Sequence, residues 1–373
     1  MNKEQIIKFW KEAVSSPEWH MSMPEDPMEI FASPRIYHEI PSFMENPIAW
    51  KPEDLKGTDV AFLGIPYESN FQLASNNWTN CPPEYPDPDA IIGRSGSDRS
   101  PAHIRQYSIH FSVRLNGGYC PEIAEDFRLV DHLNMMDYGD VEVNRKWDAD
   151  TMARHAMGKV ADIVKAGAVP LVFGGCHEIP YPVMKAISDN TDGKIGLIVL
   201  DGHYDNDIGG MLTTGNAFGK IYEDCRVETE NMVFIGINGG GGYNTPAMAK
   251  LMKDIGITVF QAKDVDALGA EKVAQRAVEI AGKGTKGTYV SLDADVMDVV
   301  SFPAQKNVDA FGMSAQDVKD VLTVVSKGVD LVGFDMCTMG PAYDHKGAGA
   351  VIAAKFFIEI LKGIAIRKSG LSF

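Results

Sequence analysis

The stretch Leu200-Asp201-Gly202-His203-Tyr204-Asp205 closes an apolar run, Ile195–Leu200, that has the make-up of a buried parallel strand. While the chain stays extended, alternation puts Asp201, His203 and Asp205 on one side, where the strand gives way to a loop. In an open α/β sheet that C-terminal edge is where ligands bind. Two carboxylates around an imidazole suit a first-row divalent metal, and the set is too rich in oxygen and nitrogen for a thiolate site.

Similar runs recur at Asp59–Gly64, Arg128–Met135, Val169–Phe173, Met232–Ile237, Ile257–Gln261, Thr288–Leu292 and Leu331–Phe334. Helix-period stretches such as Ala149–Ala166 and Glu271–Ala281 lie between many of them. Strands alternating with helices predict a parallel, doubly wound α/β sheet, and the lack of a Pro/Ser-rich linker predicts one domain. The final apolar helix, Gly347–Ile364, is expected to pack on the core. Residues 1–55 stand apart: Trp, Pro, Met and Phe crowd Trp19–Trp50 with little periodicity. This extension holds too many aromatics for disorder, so it is expected to pack on its own or a neighbouring subunit. Two regions break the alternation. Asn70–Ser100 is a long insertion with Pro82, Pro83, Pro86 and Pro88, of a length that is often functional. Gly239–Gly242 lacks the spacing of a phosphate loop and reads as a turn near the site mouth.

The 373 residues carry 35 Lys+Arg against 51 Asp+Glu, a formal charge of −16. That balance argues against nucleic acid and anionic membranes as partners and suits a small cation. Five scattered cysteines (81, 120, 176, 225 and 337) form no CxxC pair, which points to a reducing cytoplasm. No apolar run reaches membrane-spanning length, and the N-terminus reads as a helix start rather than a secretory signal.

Three strand ends resemble one another. The third gives Gly174-Gly175-Cys176-His177-Glu178, the fourth the stretch above, and the seventh Ser291-Leu292-Asp293-Ala294-Asp295-Val296-Met297-Asp298. Imidazoles and carboxylates on one sheet edge in that number fit two divalent ions, with Asp201 and Asp293 as bridging candidates. So many carboxylates buried without a cation would be very unfavourable.

These motifs resemble the ureohydrolases: arginase, agmatinase, guanidinobutyrase, formiminoglutamase and guanidine hydrolase. The family signatures GGDHS, DAHxD and SxDxDxxDP match the three strand ends. Gly64–Glu68 resembles the family's first-strand turn, and Gly96, Arg99, Pro101, Ile104 and Arg105 resemble its "RxGAxxGPxxIR" segment. The resemblance runs from about Asp59 to the C-terminus. It implies a three-layer α/β/α sandwich with an eight-stranded parallel sheet, the arginase-like fold, over residues 56–373. It also implies a metal set of His177, Asp201, His203, Asp205, Asp293 and Asp295. The implied chemistry is attack of a metal-bridging hydroxide on a guanidinium-type carbon, with Asp295 and His203 as the catalytic pair. Members are usually trimers or hexamers.

The departures from the family pattern bear on substrate. Cys176 and Glu178 replace the Asp and Ser of GGDHS. Phe218 stands where arginases carry a proton-shuttle His, within Thr214–Gly219. Thr338 stands where "DIVExNPxxD" has its guanidinium-clamping Glu, and Gly340 replaces the Asn, while Pro341 and Asp344 remain. Phe218, Thr338, Glu178, Asn216 and His345 are therefore the expected substrate contacts, with Trp78 and Tyr85 as possible caps on the pocket or interface residues. Losing clamp and shuttle while keeping every ligand fits a changed substrate, a compact guanidine or a biguanide such as metformin. The nearest likeness is to the guanidine hydrolase and metformin hydrolase branch, which implies nickel over manganese. It also raises a second, related subunit. Alternatives are a metal-loaded but non-catalytic partner chain, an agmatinase-like or guanidino-acid hydrolase, and, more distantly, a one-zinc amide hydrolase. His103 and His110 are expected as surface or packing residues, His132 as a core histidine after a strand.

Overall fold

The computed structural model describes residues 3–14, 42–68, 96–143, 148–239 and 244–371. Trp78, Tyr85, Cys81, Arg94, most of the 70–100 insertion and of the Trp19–Trp50 stretch, and Gly240–Gly242 lie outside the described residues.

Eight parallel strands form one sheet: β1 Val60–Ile65, β2 Met135–Asp140, β3 Val169–Gly174, β4 Ile195–Leu200, β5 Met232–Ile237, β6 Thr258–Gln261, β7 Gly287–Asp293 and β8 Leu331–Cys337. Their spatial order is β2-β1-β3-β8-β7-β4-β5-β6. Alternation divides the side chains between two cores. Val60, Phe62, Leu171, Phe173, Val290 and Phe334 face a layer built from helices Ser100–Ser108, Ala270–Ala281, Ala315–Gly328 and Ala348–Ser369. Ala61, Leu63, Val172, Leu197 and Val199 face the opposite layer, which holds Ala149–Lys165, Pro180–Asp189 and Ala217–Asp224. The result is the expected three-layer α/β/α sandwich. Among the described residues no helix is long and apolar enough to cross a membrane.

The second strand corrects the sequence reading. Residues 129–131 form a 3-10 turn, and the strand begins only at Met135. Leu129 and Leu133 are buried beneath that turn, which gives it the apolar look of a strand. The true strand looks polar because Asp137 and Asp140 are matched by Arg105, whose guanidinium reaches Asp137 through Nε at 2.8 Å and Nη2 at 2.9 Å and Asp140 through Nη1 at 2.5 Å. His132 therefore follows a turn, stacked on Phe127 with ring centroids 4.4 Å apart. His103 is a half-buried packing residue, edge-on to Tyr107, and its Nε2 lies 2.9 Å from Asp344, which caps the last helix through Gly349 N and Ala350 N.

Before β1 the chain is already part of the body. Phe43 is fully buried, 4.6 Å from Phe62 between ring centroids, and Ile48 pairs in parallel with Asp137 to cover the β2 edge.

Candidate metal centre

β3, β8, β7 and β4 are consecutive neighbours at the centre of the sheet, so four loops leave the same edge side by side. The loop after β3 carries His177. Its turn needs Gly175, because a Cβ there would stand 1.9 Å from the Tyr67 carbonyl oxygen. The loops after β4 and β7 repeat one device. Asp201 Oδ1 accepts the His203 N–H at 2.7 Å, and Asp293 Oδ1 accepts the Asp295 N–H at 2.8 Å. Each of these short turns fixes one oxygen of an aspartate and leaves the other to the cluster.

The six residues expected as ligands converge. His177 Nδ1 lies 2.7 Å from Asp205 Oδ2, 3.1 Å from Asp293 Oδ2 and 3.5 Å from Asp201 Oδ2. His203 Nδ1 lies 3.3 Å from Asp295 Oδ2 and 3.7 Å from Asp201 Oδ1. Three ligand groups result among the described residues: His177–Asp201–Asp205 and Asp201–His203–Asp295, which share Asp201, and His177–Asp293–Cys337. Asp205 adopts a φ of +37°, a left-handed conformation that turns its carboxylate back to His177.

Electrostatics and satisfaction both favour cations here. Burial and the neighbouring Asp293, Asp295 and Asp205 push the Asp201 carboxyl well up. Burial and Asp295 push up Asp293, whereas Asp295, despite its burial, is drawn down by His203. Burial opposes charging of both imidazoles, yet Asp293 and Asp205 hold His177 up at about 9 and Asp295 holds His203 at about 10. Asp201 Oδ2, Asp295 Oδ1 and His177 Nε2 are buried and find no hydrogen-bond partner among the described residues. A donor set of this kind fits two divalent ions.

The expected substrate contacts are placed more variously. Thr338 is buried at a φ of +62°, an outlying conformation for a β-branched residue. Its Oγ1 is hydrogen-bonded to Asp293 Oδ1 and accepts the Ala294 N–H at 3.1 Å. Phe218 is fully buried, its ring edge-on to His177 with centroids 5.3 Å apart. Asn216 directs its amide into its own loop, to Thr213 N, Gly209 O and Met211 O. Glu178 is fully enclosed in the surroundings of Cys176, Tyr67 and Lys306. His345 is exposed after β8.

Several residues at the centre were not picked out from sequence. Asn307 brings Nδ2 to 3.4 Å from Asp295 Oδ2. Lys306 is buried and paired with Glu68, whose carboxyl it holds below the usual range against the effect of burial. Asp335, on β8, accepts hydrogen bonds from Tyr289 and Ser291. Cys337 lies within ligand range of His177 and Asp293. Asp335 and Cys337 fall inside the strand aligned with "DIVExNPxxD", so their place was readable, though not their contacts.

Known proteins resemble this chain in sequence and in fold. The chain is 27% identical over 330 residues to the human mitochondrial guanidino acid hydrolase, covering 86% of this chain and 81% of that protein. It superposes on the crystal structure of a hypothetical agmatinase from Burkholderia thailandensis with a TM-score of 0.72 at 25% identity, covering 90% and 93% of the two chains. The Trypanosoma cruzi formiminoglutamase with Mn2+ shares the fold, with a TM-score of 0.71 at 21% identity over 88% of this chain and 99% of that one. The arginase family model matches residues 81–362. This chain belongs to the arginase family of hydrolases.

Proposed function

We propose that the chain is a binuclear metal-dependent hydrolase that cleaves a C–N bond in small guanidines or biguanides, giving urea or guanylurea plus an amine. The observation that carries the reading is a single imidazole nitrogen, His177 Nδ1, facing three carboxylates within 3.5 Å at the ends of central strands. His177, Asp201, Asp205 and Asp293 would hold one ion, and Asp201, His203, Asp293 and Asp295 the other. When bound, the ions supply Lewis acidity and make a water nucleophile accessible at neutral pH. The chain's own residues handle the proton. Asp295, beside His203 and steadied by the Asn307 amide, takes it from the attacking water and passes it to the departing nitrogen. Phe218 holds the His177 ring by edge-on packing, and Thr338 fixes the Asp293 carboxylate.

A compact substrate is supported by Thr338 in the place of the family's clamp carboxylate, with its hydroxyl engaged by Asp293 rather than directed at a substrate cation. The similarity to guanidino acid hydrolase and to an agmatinase structure favours a second reading, a substrate with a longer charged tail. Nickel and manganese both suit the ligand types, and nickel is the ion proposed; the solved Trypanosoma structure names manganese. A cytoplasmic assembly of three or six copies, with or without a related second chain, belongs to the same proposal. So does the division into a 1–55 extension and a 56–373 catalytic domain.

The test is mass spectrometry of products after nickel- or manganese-loaded protein meets guanidine, metformin, agmatine, guanidinobutyrate and arginine together. Guanylurea or urea from the two compact substrates supports the proposal, whereas turnover of agmatine or guanidinobutyrate alone replaces it with the second reading. Asp201→Ala and Asp293→Ala should abolish both metal binding and turnover. An active, metal-free variant would refute the mechanism.

A further inference from the structure

The six expected ligands are oxygen and nitrogen donors, and the structure adds a sulfur. Cys337 ends β8 and pairs in register with Asp293 at the end of β7. It is fully buried. Its Sγ, a ring nitrogen of His177 and a carboxylate oxygen of Asp293 all lie within 4.8 Å of one another, a spacing that one ion can span. Its Sγ donates to the Leu292 carbonyl at 3.7 Å and also lies in hydrogen-bonding reach of Asp335. Independent of the thiol, Asp201 Oδ2 and His177 Nε2 are buried in the same cluster and find no hydrogen-bond partner among the described residues, which directs both atoms to a ligand. The other described cysteine next to His177 in sequence is differently placed: Cys176 is hydrogen-bonded with Glu178 in the surroundings of Lys306 and Glu68.

We propose that Cys337 is a sulfur donor to the ion on the His177 side, biasing this centre towards thiophilic borderline ions such as nickel, cobalt or zinc and against manganese. The proposal rests on the binuclear reading above. On coordination an S–H bond is exchanged for a sulfur–metal bond, and the proton passes to solvent. Thiolate is a soft ligand, and adding it to a carboxylate–imidazole set changes which first-row ion the site retains.

Cobalt is the probe, because its visible ligand-field bands report binding, whereas a near-ultraviolet thiolate-to-cobalt charge-transfer band reports sulfur. The full chain, stripped by chelation and given two equivalents of Co2+, should show both. Cys337→Ala and Cys337→Ser should lose the near-ultraviolet band and keep the visible ones, and Cys176→Ala should keep both. In competition between Ni2+ and Mn2+, Cys337→Ala should shift the bound ratio about tenfold towards manganese. Should the variants fail to fold, X-ray absorption of the nickel-loaded natural protein decides, through a sulfur shell near ~2.3 Å. Visible bands without the charge-transfer band, a band surviving in Cys337→Ala, or a shell of nitrogen and oxygen alone would overturn the sulfur assignment and leave the binuclear reading standing. No visible bands in the natural protein would overturn both.

Discussion

Thr338 holds two roles in one side chain: a strained backbone and a hydroxyl set against Asp293. Strain of this kind costs of order 1–3 kcal/mol and persists where the surroundings over-determine it. Here they do, since Thr338 N donates to Gly175 O at 2.8 Å and Thr338 O accepts from Lys306 N at 2.7 Å. Thr338→Val keeps shape and strain but removes the hydroxyl. It should weaken metal binding ~10–100-fold, measured by calorimetric titration, as loss of a partner to a ligating carboxylate does. Unchanged affinity would return Thr338 to a substrate role. The place of the candidate ligands was legible because D-x-H-x-D and D-x-D directly follow apolar runs, which puts them at a sheet edge. Glu68 and Lys306 were not. They are far apart in sequence, and a lysine in a polar loop looks like a solvated one.

Helix Ser100–Ser108 and β2 are joined through Arg105, whose guanidinium also donates to the Gly139 carbonyl at 2.8 Å. Asp137 serves a second element as well, accepting the Phe43 N–H at 2.7 Å. Arg105→Met would leave the buried Asp137 without its counter-charge and should destabilise the protein by ~3–5 kcal/mol in urea unfolding. A loss within about 0.5 kcal/mol, the range of ordinary surface substitutions, would mean that the pair holds nothing together. The same pair explains why this strand alone was misplaced. Six strands announce themselves by apolar runs buried almost throughout and the edge strand β6 by a short half-buried one, whereas β2 is an edge strand whose acids are neutralised from another element. The apolar turn before it, with Leu129 and Leu133 facing inward, supplied the stronger local signal.

Across the whole molecule, the cluster ties stability to pH. His177 near 9 and His203 near 10 both stand above their ordinary 6.5, so the folded state binds more protons than the unfolded one between those values. Asp201 and Asp293, raised above 3.8, act in the same direction. Asp295 acts oppositely, but only at acid pH. This stabilisation is fully present at low pH and is lost as pH rises through the folded values. The metal-free melting temperature should therefore fall from about pH 5 to pH 10, while the gain on adding metal grows, because ions compete with protons for the same atoms. Differential scanning fluorimetry of both forms checks this, and a metal-free melting temperature that rises across the range would contradict it. A different lesson lies in Glu68. Its Oε2 accepts from Gly96 N, Ser97 N and Ser97 Oγ at 3.0, 2.8 and 2.6 Å, while Oε1 is held by Lys306. Glu68 and Gly96–Ser97, which flank residues 69–95 in sequence, are thus held together at one point that also binds Lys306. Doubling the length between two such pinned ends costs only ~0.6 kcal/mol. A change of length between these two anchored ends should therefore leave the sheet and its candidate ligands in register.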